Sequence, residues 1–217
     1  MKDIPVFDTE TGVSSLMLKE IPYKQVAYVK IHSVQPGGLE EHLRECIGFC
    51  RMCGAERVFA SGHGELEAWK HHCDVIPLAL ALTERMEPEA NLFPVTSETV
   101  GRWRDIYNER MASVHNAATM TAFDEKDICA GGAYFVHDRG ELLGIGWLKG
   151  SEVLCVASVK RGAGERVLKT LLTAADSDRV TLEVASTNDR AIRLYEKLGF
   201  VQCAEARSWY TIFEGGK

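Results

Sequence analysis

The chain has no apolar run long enough to span a bilayer: the longest, Val75 to Leu82, stops far short of the roughly 18 residues a membrane helix needs. Its opening residues, Met1 to Gly12, lack the apolar centre of a secretory leader, so a cytoplasmic location away from membranes is expected. Positive charge is also in short supply, with 25 Lys and Arg against 31 Asp and Glu and a net charge of -6. A general nucleic-acid binder carries a basic footprint, so no nucleic-acid partner is expected, and a small or peptidic cationic substrate fits better. Six prolines and 46% hydrophobic residues are incompatible with a collagenous or disordered chain. Seven cysteines, an odd number without an export signal, argue for reduced thiols rather than a disulfide framework. At 217 residues the chain exceeds a usual single domain of about 100 to 150 residues but falls short of two large ones.

Alternating apolar residues from Val26 to Val34 predict a strand, and Pro36-Gly37-Gly38 a turn. Leu39, Leu43, Cys46, Ile47, Cys50 and Cys53 then recur at helical steps, with Gly54 where a helix-ending glycine belongs. Arg57 to Ser61 reads as a second strand, giving a strand, helix, strand crossover with parallel strands. A further strand is expected over Val75 to Leu82, and the charged stretch Glu84 to Asn91 marks a boundary between residues 1–90 and 91–217.

Beyond it, Ser97 to Val114 has an amphipathic stripe of Val100, Trp103, Ile106, Tyr107 and Met111, and Asp124 to Ala130 reads as a short helix. Two strands, Ala133 to His137 and Leu142 to Leu148, flank the hairpin signal Asp138-Arg139-Gly140. A strand over Val153 to Val159, a helix from Gly164 to Ala175, a strand over Val180 to Ala185 and a helix from Asp189 to Leu198 follow. Two strands close the chain, Phe200 to Ala204 and Arg207 to Phe213. A hairpin feeding parallel strands with crossover helices predicts an α/β fold with a mixed sheet covered on both faces.

Chemistry concentrates where Gly162 and Gly164 lie between a strand and a helix. Glycines let a ligand approach the backbone, and the free N–H groups of a first helical turn favour an anion such as a phosphate. Lys160, Arg161 and Arg166 add positive charge there. A plain strand-to-helix turn is the alternative for these glycines.

The run Leu182 to Phe200, LEVASTNDRAIRLYEKLGF, resembles the final strand and helix of the GNAT superfamily of acyl-CoA-dependent N-acetyltransferases. It carries the LEV strand end, Asn188, Ala191 and the sequence from Leu194 to Phe200. The order of elements across 91–217 also matches that fold. The resemblance implies acetyl-CoA as co-substrate, a primary amine as acceptor (a peptide N-terminus, a lysine or a small amine), and no metal. It implies that the glycine turn, Val159, Lys160, Arg161, Gly162, Ala163 and Gly164, holds the diphosphate, and that the backbone of Cys155, Val156, Ala157, Ser158 and Val159 pairs with the pantetheine arm. Val159 departs from the Gln or Arg that usually opens the family's loop, leaving its outer edge to Lys160 and Arg161. Asn188 is implied as a cofactor contact, and is equally a helix N-cap.

Acyl transfer to an amine needs a neutral amine and a proton for the leaving thiolate. Glu183, on a strand expected to be central, is costly there unless hydrogen-bonded or functional; an ordinary Glu on a wet face is the alternative. Tyr195 shares a helical stripe with Ile192 and Leu198, which suits either a core tyrosine or a general acid. Both positions match the strand Glu and helix Tyr of bacterial N-terminal-amine acetyltransferases that modify ribosomal proteins, which implies Glu183 as base and Tyr195 as acid. A CoA-binding sensor on the same fold is the alternative function.

Cys46, Cys50 and Cys53 have the spacing of the cluster-binding motif of radical S-adenosylmethionine enzymes, so an iron–sulfur enzyme is a further alternative. The same spacing inside an amphipathic helix fits small apolar core residues. The order strand, glycine turn, helix, strand from Val26 to Ser61 repeats that of Val153 to Ala185, so residues 1–90 are expected to form a degenerate partial copy of the same fold, shaping the acceptor cleft. Oligomeric state is not legible.

Overall fold

The computed structural model describes residues 2–83 and 87–215; residues 84–86, within the charged stretch expected to separate two domains, lie outside them. In chain order the strands are β1 (Ile4–Asp8), β2 (Gly12–Met17), β3 (Val26–Val34), β4 (Arg57–Ser61), β5 (Lys70–Ala81), β6 (Asn91–Pro94), β7 (Ala133–Asp138), β8 (Glu141–Lys149), β9 (Glu152–Ser158), β10 (Arg179–Ala185), β11 (Val201–Gln202) and β12 (Arg207–Glu214). The helices are α1 (Ile21–Lys24), α2 (Leu39–Met52), α3 (Val100–Met111), α4 (Glu125–Cys129), α5 (Gly164–Leu172) and α6 (Asp189–Lys197). No helix among the described residues is long and apolar enough to cross a membrane.

The chain divides into two compact units, one of Met1–Val75 with Ala206–Lys217, the other of Ile76–Glu205. β5 therefore supplies Lys70 to Val75 to the first unit and Ile76 to Ala81 to the second.

In the first unit the strand order is β1-β2-β3-β4-β12-β5. β3 and β4 are parallel, in unbroken register from Val26↔Arg57 to Lys30↔Ser61. The crossover helix α2 ends as its glycine predicts: Gly54 has φ +98, and the Ala55 N–H returns to the Cys50 carbonyl at 3.0 Å. Its apolar stripe, Leu39, Leu43, Cys46 and Cys50, is buried against Leu16, Val29, Ile31 and Val58. The strand, helix, strand crossover is thus embedded in a larger unit, extended by β1 and β2 and closed by the C-terminal strand β12 between β4 and β5.

A polar cluster sits inside this core. His42 of α2 is fully buried, with Nδ1 2.8 Å from Thr9 Oγ1 and Nε2 2.6 Å from Ser14 Oγ. Thr9 Oγ1 donates to the Gly12 carbonyl, which assigns the proton of a neutral ring to Nδ1. Burial lowers the imidazole's pKa from 6.5, partly opposed by Glu45. Above the ordinary value the ring is neutral in both folded and unfolded chains, and below it the unfolded chain binds the proton first. The contribution of His42 to thermal stability should therefore be constant above about pH 6.5 and be lost progressively as pH drops below it. Melting temperatures of the wild type and His42→Gln across pH 5–8 check this; an equal acid slope in both would contradict it.

In the second unit the order is β11-β5-β10-β9-β8-β7-β6. Residues alternate between two faces. Leu148, Val153, Leu182 and Val184 pack with Leu168, Leu171, Tyr195 and Phe200 of the α5–α6 side. Phe135, Ile145, Cys155 and Ala157 pack with Trp103, Tyr107 and Ile128 of the α3–α4 side. Gly146 lets α5 lie directly on β8, since a Cβ there would stand 2.7 Å from Leu171. The β7–β8 turn places Arg139 and Gly140 at φ 49 and 81, the left-handed pair a two-residue hairpin requires.

Candidate functional site

β9 and β10 are joined by the α5 crossover and run parallel, yet they pair only at Thr181↔Glu152 and Leu182↔Val153. β9 continues to Ser158 and β10 to Ala185 without further pairing to each other. The cause lies on β9's other side. Trp147 pairs with Cys155 and Leu148 with Val153, so Leu154 is an extra, bulged residue. A bulge bends and twists its strand locally, and here it turns Cys155 toward the α3–α4 core while Val153 faces α5. Leu154 is left 41% exposed at the start of the gap. From there to Ser158, β9 is held by β8 alone, which leaves its backbone edge toward β10 open.

Glu183 is the first β10 residue past the last pairing. It is exposed and points away from the face on which Leu182 and Val184 are buried, so its carboxylate sits on a wet face. Tyr195 comes from the opposite face. It is buried, its ring 5.7 Å from that of Phe200, and burial, reinforced by Cys155, pushes its phenol up to about 12. The phenol is therefore protonated at neutral pH and within electrostatic reach of Cys155 where the strands have separated. Burial pushes the Cys155 thiol up to about 12 as well.

The glycine turn follows β9 directly. The N–H groups of Val159 and Lys160 donate to the Leu143 carbonyl at 2.9 and 3.3 Å, and that of Ala163 to Lys160 at 3.2 Å. Gly162, at φ +83, makes the turn. Ala163 occupies the N-cap of α5 and offers no side-chain acceptor, where Ser, Thr, Asp or Asn would stabilise the helix by about 1 kcal/mol. The first N–H groups of α5, from Gly164 on, thus have no side-chain cap. α5 starts beside α6: a Cβ on Gly164 would meet Leu194 at 3.4 Å, and Glu165 pairs with Lys197.

Nearby cations are mostly engaged. Lys160 pairs with Glu141 at 2.5 Å, and Arg166 with Asp138 at 2.8 Å and the Glu89 carbonyl at 2.9 Å. Arg161 is exposed and forms no ion pair among the described residues. Asn188 caps α6, its Oδ1 accepting the Ala191 N–H at 3.3 Å. The strip Val156, Ala157, Ser158, Val159, Lys160, Arg161, Gly162, Ala163 and Gly164 is therefore one continuous path from strand edge to helix start, with Asn188 and Tyr195 on the adjacent helix. The Leu154 bulge, which opens the gap, is the feature that sequence reading misses, because Val153 to Ala157 is one unbroken apolar run in which no residue marks a change of face.

The cysteine motif has other surroundings. Cys46 and Cys50 are wholly buried in the first unit's apolar core, with thiols pushed up by burial to about 11 and about 12. Neutral thiols packed among Leu39, Leu43 and Val58 are core residues rather than a cluster mouth. His71 bonds Asp74 at 2.8 Å and His72 stacks on Phe59 at 3.8 Å between centroids.

The profile of the acetyltransferase (GNAT) family matches residues 93–200. No curated protein matches the chain. Among solved structures, a GCN5-related N-acetyltransferase from Sphaerobacter thermophilus superposes with TM-score 0.64 at 14% identity, over 95% of this chain and 78% of that one. A GNAT-family acetyltransferase from Colwellia psychrerythraea gives 0.55 at 15% identity, over 96% and 84%. A tandem GNAT protein from the clavulanic acid biosynthesis pathway gives 0.52 at 15% identity, over 95% and 80%. At such identities the likeness is one of fold, and it extends over almost the whole chain.

Proposed function

Through residues 93–200 the chain belongs to the acetyltransferase (GNAT) family, and on that premise we propose that it transfers an acetyl group from acetyl-CoA to a primary amine, directly and within a ternary complex. The observation that carries this reading is the opening of β9 from β10 immediately before an uncapped, glycine-bearing helix start. The open β9 edge suits the amides of a pantetheine arm, and the α5 N–H groups suit a diphosphate, with the helix dipole favouring its charge. At the outer edge Arg161, outside any ion pair among the described residues, supplies a cation in place of the Gln or Arg for which Val159 stands. Asn188 acts by fixing the start of α6 beside the cofactor.

In the chemical step the neutral amine attacks the thioester carbonyl, and Glu183 takes up the proton lost by the incoming ammonium, through water. The tetrahedral intermediate collapses with cleavage of the C–S bond, the protonated phenol of Tyr195 gives its proton to the departing thiolate, and the second proton of the former amine, lost as the amide forms, passes through water to return the tyrosinate to the phenol. Direct transfer is favoured over an acyl-enzyme because the thiol beside the gap, Cys155, is buried and pushed up to about 12. At pH 7 that corresponds to about one thiolate per 10⁵ thiols, too few for an efficient nucleophile.

Thiol release from acetyl-CoA, measured across a panel of primary amines alongside calorimetry, tests the reading. Release dependent on an amine, with that amine gaining an acetyl group by mass spectrometry, is expected. Tight acetyl-CoA binding with no release from any amine would instead assign a CoA-binding sensor.

A further inference from the structure

We infer that the acceptor is a primary amine on an uncharged, apolar body, and that His115 is the positioning residue for the loop that selects it; the inference rests on the acyl-transfer reading above. In a chain with 26% charged residues, no Asp, Glu, Lys or Arg occurs from Met111 to Phe123. This segment joins α3 to α4 on the surface, where charged side chains are ordinarily abundant. Instead it exposes Ala112, Ala118 and Phe123, the last at 95%.

The loop is held in place. The Asn108 side chain donates to the Met120 carbonyl and accepts the Met120 N–H, both at 2.9 Å. The Thr121 N–H and hydroxyl both donate to the Asp124 carboxylate, at 2.7 and 2.8 Å. A third tie leaves the loop altogether: His115 Nδ1 lies 2.7 Å from Thr187 Oγ1. Thr187 stands between Ala185, where β10 ends, and Asn188, which caps α6. α3 and α4 pack on the face of β9 that carries Cys155 and Ala157, and Glu183 points to the same face of β10. The His115 bond thus brings an uncharged loop to the end of β10 on the side of Glu183, where an amine must arrive to lose its proton. A polyamine or lysine-rich peptide placed there would set its remaining cations against a loop that carries no carboxylate from Met111 to Phe123, with Glu183 occupied by the reacting amine and Asp124 already accepting from Thr121, so hydration is lost for no partner in the loop. An apolar body loses nothing and gains contact with the loop. This runs against the overall charge of -6, which alone would favour polycations.

The test compares 2-phenylethylamine with spermidine in the thiol-release assay. The expected result is a kcat/KM at least about 10-fold higher for 2-phenylethylamine. His115→Ala should raise KM for that amine about 10-fold with kcat and acetyl-CoA affinity nearly unchanged, and His115→Asn, which keeps a hydrogen-bonding group, should restore much of it. Ala118→Glu, at an exposed position, should shift preference toward spermidine. Equal or better turnover of spermidine by the wild type, or a His115→Ala defect confined to kcat, overturns the inference while leaving acyl transfer intact. Absence of turnover with every amine defeats the acyl-transfer reading, and this inference with it.

Discussion

Tyr195→Phe is expected to lower kcat by about 10²- to 10⁴-fold, the usual worth of a positioned general acid, while acetyl-CoA affinity stays within about 2-fold. The ring is needed for packing: it is buried beside Phe200 in the α5–α6 core, and Phe keeps that contact. Only the hydroxyl is lost, so stability changes little and the defect falls on protonation of the leaving thiolate. The pH dependence sharpens this. With its phenol pushed up to about 12, Tyr195 remains an acid throughout the range in which the protein can be assayed. A basic limb in the wild-type kcat profile well below that value would have to come from another group. Steady-state kinetics of the variant with the best amine, beside calorimetric titration with acetyl-CoA, checks the prediction. Unchanged kcat would remove Tyr195 from the mechanism.

Gly164→Asp should weaken acetyl-CoA binding by at least about 100-fold, because a carboxylate within about 4 Å of a diphosphate charge costs several kcal/mol even at an effective dielectric of about 20. Folding should not suffer. Gly164 is the first residue of α5 and does not share the left-handed backbone of Gly162. A Cβ there meets Leu194 at 3.4 Å and Ser158 Oγ at 3.9 Å, both ordinary contact distances. An acidic residue in the first turn also favours the helix dipole, by roughly 0.3–1 kcal/mol. The melting temperature is therefore expected to hold or rise while cofactor binding is lost, a combination that general destabilisation does not produce. Retained affinity would mean that the diphosphate does not lie at the start of α5.

Much of this architecture is legible in the sequence where local chemistry sets it. α2 follows from its apolar stripe and Gly54, the β7–β8 hairpin from Asp138-Arg139-Gly140, and the succession β9, α5, β10, α6 from apolar periodicity punctuated by Gly162, Asn188 and Gly199. What is not legible depends on distant partners. β1 and β2 are only 5 and 6 residues long and become strands by pairing with each other and with β3. The polar start of β5, Lys70 to Asp74, is a strand because β12 pairs with it from more than a hundred residues away. A boundary drawn along the chain near residue 90 has no means of expressing this, whereas the compact units divide at Val75/Ile76 and again at Glu205/Ala206.

The candidate site divides the same way. Its residue types stand in the sequence as a contiguous run from Val156 to Gly164, with Glu183, Asn188 and Tyr195 soon after. The opening that gives them room depends on Leu154, whose bulge exists only in register with Trp147 and Leu148 of β8. The link from His115 to Thr187 spans 72 positions and leaves no local trace.

The central claim is that the gap between β9 and β10 receives acetyl-CoA with its thioester at Tyr195. A crystal structure of the protein soaked with acetyl-CoA measures this directly. The predicted result is a diphosphate against the first backbone N–H groups of α5, from Gly164 on, a pantetheine arm along the open edge of β9, and the sulfur beside the Tyr195 hydroxyl. Cofactor bound elsewhere on the chain, with this gap empty or closed by renewed pairing of β9 and β10, would contradict it.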